Sequence, residues 1–136
     1  MVVAVGLLLL AAACSQKEGR KESTAVMDEL ITQGSKFSST VQEAENAEAV
    51  VTALEVFVGK LDDIFTRLKA VKEKYPDLTP DETMTLQQSS IQNLFNSIAP
   101  RMEARLKELN ATLSQDLLDR MNAAAKKMTD ASQILK

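Results

Sequence analysis

Apolar residues recur at steps of three and four along most of this 136-residue chain, which is the spacing of one face of an α-helix. The longest stripe starts at Val50 and continues for about seven turns to Tyr75. Pro76 ends it, because the residue before a proline disfavours the helical conformation. The pattern therefore predicts a long helix before Pro76 and a turn at residues 76–79 that leads into the next helix.

The residues after this turn carry the signals of a helix start. Thr79 suits the N-cap, Pro80 the first helical position, and Glu82 the third, where its carboxylate closes a capping box. Proline in a helix interior costs about 3 kcal/mol, yet the apolar stripe keeps its phase across Pro100. We therefore predict one kinked, continuous helix there. A last stripe follows Ser114, its predicted N-cap.

The first helix has a weaker pattern. Its stripe runs from Val26 to Ala44, and it is weakened by Gly34 and by the Ser/Thr-rich residues 35–40. Asn46 is the predicted N-cap of the following helix. Acidic residues near helix starts and basic residues near helix ends are favourable, and this polarity resets near residues 46, 79 and 114. Four separate helices fit that reset.

Four amphipathic helices joined by short loops predict an all-α fold, an antiparallel up-down four-helix bundle. The alternative is a long two-helix hairpin that turns at residues 76–79. Its thin core would leave much of the apolar stripe facing water or a second copy of the chain. Met102, Met121 and Met128 have the spacing of core positions, which we prefer to an adaptable binding groove.

The amino-terminal end has a different composition. Residues 1–13 are apolar apart from one glycine, and every charged side chain lies after Cys14. A run this short cannot span a bilayer, which needs about 20 residues, but it has the length of a signal-peptide apolar region. The segment Leu10-Ala11-Ala12-Ala13-Cys14 resembles the lipobox of bacterial lipoproteins. The other interpretation is that Cys14 is a small buried residue after an apolar helix.

The resemblance implies that a peptidase cuts before Cys14 and that this cysteine becomes the lipidated first residue. It implies a signal peptide at residues 1–13, a lipidated Cys14 with a polar, flexible tether through residue 24, and a helical domain at residues 25–136. Ser15 resembles the default outer-membrane sorting signal, whereas aspartate there would imply inner-membrane retention. We therefore expect a lipid-anchored protein of the bacterial cell envelope, at the outer membrane and facing the periplasm.

The composition argues against several chemistries. The chain has no histidine and one cysteine, so it lacks the commonest metal ligand and the usual acid–base residue, and it cannot form an internal disulfide. We expect no metal, no cofactor and no enzymatic activity. The net charge of −3 indicates no nucleic-acid partner.

Two functions fit these expectations. The first is a non-catalytic interaction domain that binds an envelope protein or has a structural role, with self-assembly as a variant of it. The polar run at residues 87–93 is a candidate contact face, although an ordinary exposed face explains it as well. The second is a carrier of an apolar ligand or lipid, with a cavity lined by Phe57, Phe65, Phe95 and the methionines.

Overall fold

The computed structural model describes the backbone of residues 2–136 and the side chains of residues 13–136. This part of the chain forms four helices, α1 (Val2–Glu43), α2 (Ala47–Lys74), α3 (Glu82–Glu108) and α4 (Gln115–Gln133), and contains no strand. The helices alternate in direction and pack as a bundle, which confirms the predicted all-α four-helix fold. No helix in the described part is both long enough and apolar enough to cross a bilayer.

The chain reverses direction between α1 and α2. Helix α1 ends at Glu43, and the side chain of Asn46 accepts a hydrogen bond from the Ala49 backbone N–H at 2.8 Å. Asn46 is therefore the N-cap that the sequence predicts, and α1 folds back against α2. This packing rules out the two-helix hairpin, in which residues 25–75 would form a single arm. Arg105 of α3 secures the turn by donating two hydrogen bonds, of 3.0 and 2.8 Å, to the Ala44 carbonyl oxygen.

The start of α3 differs from the prediction. Its N-cap is Asp81, whose carboxylate accepts a hydrogen bond from the Met84 N–H at 2.9 Å, so Thr79 is not the cap. Thr79 instead donates both its backbone N–H and its hydroxyl to the Gln16 side-chain oxygen, at 3.0 and 3.2 Å. A tertiary contact thus occupies the threonine, and the helix begins after the next side chain that can cap it.

Two further predictions, the continuity of the helix across Pro100 and the N-cap of α4, are confirmed. Helix α3 continues through Pro100 without a break. Ser114 caps α4 by accepting a hydrogen bond from the Leu117 N–H at 3.2 Å. Both features follow from local chemistry, because a capping side chain or an apolar phase acts within a few residues.

The helices do not adjoin one another in chain order. Helix α1 packs against α2 and α3, and α2 packs against α4. Helices α2 and α3 share few backbone contacts, and within the described residues α3 and α4 do not approach each other. The central pair is therefore α1 and α2, with α3 on one side and α4 on the other.

Aromatic rings fill the middle of the core. Phe57 lies 5.5 Å from Phe37 and 6.1 Å from Phe95, measured between ring centroids, and Phe65 lies 6.3 Å from Phe95. The cavity expected among Phe57, Phe65 and Phe95 is thus occupied by the rings themselves. Met102 is buried, and Met121 and Met128 are half-buried against the same cluster, as predicted for core positions.

Candidate functional site

Cys14 is exposed and lies within α1, beside the loop that joins α2 to α3. Two residues further on, the Gln16 side chain donates a hydrogen bond to the Asp77 carbonyl oxygen at 2.7 Å. Arg20 donates to the Thr79 carbonyl oxygen at 3.0 Å and to its hydroxyl at 3.0 Å. The candidate lipidation residue is therefore at the loop end of the bundle. The predicted signal peptide lies mostly outside the residues whose side chains are described.

The prediction of a flexible tether at residues 15–24 is wrong. These residues are helical, and Gly19 and Ser23 are buried. A Cβ atom on Gly19 would lie 2.9 Å from Cγ of Tyr75 and 3.0 Å from Cδ1 of Leu78, so only glycine permits this close packing. The signal was present in the sequence, since Gly19 and Ser23 extend the stripe of Val26 back at helical spacing. Because neither residue has a large apolar side chain, the pattern of apolar positions did not include them.

An ion pair ties the same segment to the end of α2. The Glu22 carboxylate accepts hydrogen bonds from Lys74 Nζ at 2.9 Å and from the Tyr75 hydroxyl at 2.8 Å. The hydrogen bond from Lys74, and after it the one from Tyr75, lowers the pKa of Glu22. The same bond to Glu22 raises the pKa of Tyr75. Tyr75 thus packs at the end of the bundle, with its hydroxyl hydrogen-bonded.

An apolar groove of about 490 Å³ opens at this end of the bundle, between α2 and α3. Met27 and Leu30 of α1 lie in it with Leu68 and Val71 of α2 and with Ile91 of α3. We call it the loop-end groove. A second groove, of about 480 Å³, lies between α1 and α2 near Phe37 and the half-exposed Val56, at the opposite end.

The loop-end groove is open because α4 is too short to cover it. Arg120 of α4 pairs with Glu55 of α2 at 2.6 Å and also reaches Thr52. With the two helices parallel in this register, Gln133 at the end of α4 comes level with residues 65–68 of α2. The last two turns of α2, about 10 Å of helix, extend beyond α4. Leu135 lies at the edge of the groove.

Few polar groups border this groove. Lys72 is the only charged residue among those that line it, and it makes no ion pair within the described side chains. Gln88 and Gln92, from the polar run of α3, also line it. Gln87 faces elsewhere: it is buried, and its amide donates to Asp28 at 2.6 Å and to the Thr24 carbonyl oxygen at 3.2 Å. Gln87 of the polar run therefore contacts α1, whereas Gln88 and Gln92 lie at the rim of the groove.

Other constellations do not form a second site. No group of three or more acidic or cysteine residues that could hold a metal ion occurs among the described side chains. Some paired carboxylates join one helix to another, such as Glu29 of α1 with Arg67 of α2 at 2.6 Å.

No family model, no curated protein and no solved structure matches the chain.

Proposed function

We propose that this chain is a membrane-anchored lipoprotein of the cell envelope, held by lipid on Cys14, with a non-catalytic helical domain that binds a partner. The observation that carries the proposal is the position of Cys14. It is exposed, it follows an apolar leader, and a packed helix joins it directly to the folded domain. The hydrogen bonds of Gln16 and Arg20 to the α2–α3 loop would then hold the loop end of the bundle toward the membrane.

The anchor is tested by metabolic labelling with an alkyne-bearing fatty acid, followed by membrane fractionation. The wild-type chain is expected to carry the label and to sediment with membranes. Cys14→Ser should lose the label and leave the membrane fraction, whereas the neighbouring Ser15→Ala should behave as wild type. If Cys14→Ser sediments with membranes as fully as the wild type does, the chain is held at the membrane by something other than a lipid on Cys14.

Two large apolar side chains that face solvent support contact with a partner. Val56 of α2 is 56% exposed and Leu86 of α3 is 62% exposed. Isolated exposed apolar residues are ordinary on a protein surface, so position-specific crosslinking has to decide. A photoreactive amino acid at residue 56 or 86 is expected to capture one recurrent envelope protein in cells, while the same group at the exposed Glu103 of α3 captures none. Equal capture from all three positions would mean that contact is non-specific.

A second candidate function is the transport or retention of an apolar ligand, and the loop-end groove favours it. Small-molecule sites are typically apolar clefts of about 300–1,000 Å³ with a few polar groups, and this groove has that size and lining. A fluorescent fatty-acid analogue should bind saturably at one site per chain and be displaced by unlabelled fatty acid. Binding that rises linearly without saturation would reject the carrier function.

A further inference from the structure

We propose that the loop-end groove binds a single acyl chain of an anionic lipid, with Lys72 at its rim pairing with the negatively charged headgroup. This inference rests on the second proposed function, the carrier of an apolar ligand, and names the ligand class. The membrane anchor at Cys14 is a separate proposal and is judged by a separate experiment.

The size and lining of the groove fit a single acyl chain. The groove offers about 490 Å³, which lies within the usual range of small-molecule clefts. An unbranched acyl chain has no polar groups along its length, so apolar walls leave none of its atoms without a hydrogen-bond partner.

The lining of the groove sets the chemistry of its two parts. The walls are aliphatic and aromatic, with Leu68, Val71 and Phe65 on α2 facing Ile91 on α3. Oxygen and nitrogen side-chain atoms come from Ser23, Lys72, Tyr75 and the two glutamines of the rim, and no carboxylate lines the groove among the described residues. One cation without an acidic neighbour in the lining complements one negative headgroup and disfavours a positively charged one.

The position of the groove is suited to a membrane lipid. Tyr75, Pro76 and Leu78 line the end of the groove that lies next to the α2–α3 loop. Leu78 also lies against Gly19 of α1. Cys14 precedes Gly19 by five residues on the same helix, a distance of about 8 Å. A chain anchored at Cys14 would therefore have the groove close to the bilayer surface. The same chemistry is offered by a free fatty acid, so the source of the acyl chain is left to the experiment.

The test uses the full chain reconstituted in phosphatidylcholine vesicles. Three photoreactive lipids with the same diazirine-bearing chain are compared: phosphatidylglycerol, palmitic acid and the uncharged palmityl alcohol. After irradiation, the labelled peptides are identified by mass spectrometry. We expect adducts on the α2 and α3 peptides that contain Leu68 and Ile91, and stronger labelling by the two anionic lipids than by the alcohol. Labelling by phosphatidylglycerol would indicate a membrane lipid, and labelling by palmitic acid alone a free fatty acid.

Two pairs of variants separate binding of the acyl chain from binding of the headgroup. Ile91→Trp narrows the groove and should reduce labelling at least tenfold, while Asn96→Trp, on the exposed face of the same helix, leaves it unchanged. Lys72→Glu should weaken labelling by both anionic lipids about three- to tenfold without changing labelling by the alcohol, and Lys60→Glu serves as its control on α2. Lys72 and Lys60 are both exposed, so neither change is expected to unfold the chain.

Chain length gives an independent measure of burial. Each methylene taken out of water is worth about 0.8 kcal/mol, which is about a fourfold change in affinity. Shortening a competing fatty acid by one methylene should therefore weaken competition by about fourfold while the chain lies in the groove.

The outcomes distinguish the two levels of the proposal. Groove adducts that do not depend on lipid charge or on Lys72 would overturn the anionic-lipid assignment and leave the carrier function standing. An absence of groove adducts with all three lipids would overturn both. A protein partner that displaces the lipids and crosslinks at Leu68 or Ile91 would assign the groove to a polypeptide and overturn the acyl-chain proposal.

Discussion

Gly34 of α1 packs directly against Leu94 of α3, and replacing it tests the packing of the bundle. A Cβ atom at this position would overlap the Leu94 side chain, with Cγ of Leu94 at 2.9 Å and both of its methyl groups nearer still. Because Cγ itself is involved, rotating the terminal methyl groups cannot relieve the overlap. Gly34→Ala should therefore push the two helices apart or force Leu94 into a poor rotamer.

The chain supplies a matched control for this substitution. Gly59 lies in the middle of α2, and a Cβ atom there would have no atom within 4 Å. Gly59→Ala should stabilise the protein by about 1 kcal/mol, because alanine is the better helix former. Gly34→Ala gains the same amount from helix propensity and loses about 1–3 kcal/mol to overpacking. We expect a net change from about zero to a loss of 2 kcal/mol for Gly34→Ala.

The free energies of unfolding are measured by urea denaturation, with the slope compared between variants. Truncating the clashing partner completes a double-mutant cycle: in a Leu94→Ala background, Gly34→Ala should stabilise by about 1 kcal/mol, as it does at Gly59. If Gly34→Ala stabilises the wild-type background as much as Gly59→Ala does, α1 and α3 are not in close contact at this point, and the argument fails.

Three further predictions concern one helix cap and two ion pairs between helices. Asn46→Ala removes the N-cap of α2 and should cost about 1 kcal/mol in urea denaturation. Arg120→Ala removes the ion pairs with Glu55 and Glu48 and should lower the urea midpoint at low salt and lower it less in 1 M NaCl, because salt screens partly exposed pairs. Glu22 has a pKa lowered below its ordinary value of 4.5, so its contribution to stability is present above pH 4.5 and is lost as the pH falls below it. Glu22→Gln should flatten this part of the pH profile of the unfolding midpoint.

Each of these predictions has its own control. Ser114→Ala removes the comparable cap of α4 and should cost a similar amount, whereas equal stability of Asn46→Ala and wild type would mean that the cap is replaced by water. Lys126→Ala breaks an exposed pair with Asp130 within α4 and should lower the urea midpoint less than Arg120→Ala does. An acid profile that is the same with and without Glu22 would assign the acid sensitivity to other carboxylates.

The candidate site was only partly predictable. Cys14 was identified from the leader, because a composition change and a short motif are features of the sequence alone. Neither Lys72 nor Ile91 had a distinguishing mark, since a lysine or an isoleucine on an amphipathic helix is ordinary. The role proposed for them depends on the groove that they border, and this groove is open because α4 ends about two turns before the end of α2.

Local chemistry determined the helices of this protein. The caps at Asn46 and Ser114, the apolar phase across Pro100 and the stop at Pro76 each depend on residues within a few positions of one another. Helical periodicity also identified the apolar face of each helix and favoured a bundle over a two-helix hairpin, which the packing of α1 against α2 then ruled out.

The tertiary structure decided which helices adjoin. Periodicity says that a face is buried but not against which neighbour, so the pairing of α1 with α3 and of α2 with α4 had no signal in the stripes. That pairing depends on close contacts between residues far apart in the chain, such as Gly34 with Leu94 and Glu55 with Arg120. The tertiary structure also decided that residues 15–24 pack as helix, because Gly19 is buried only when Tyr75 and Leu78 come to cover it.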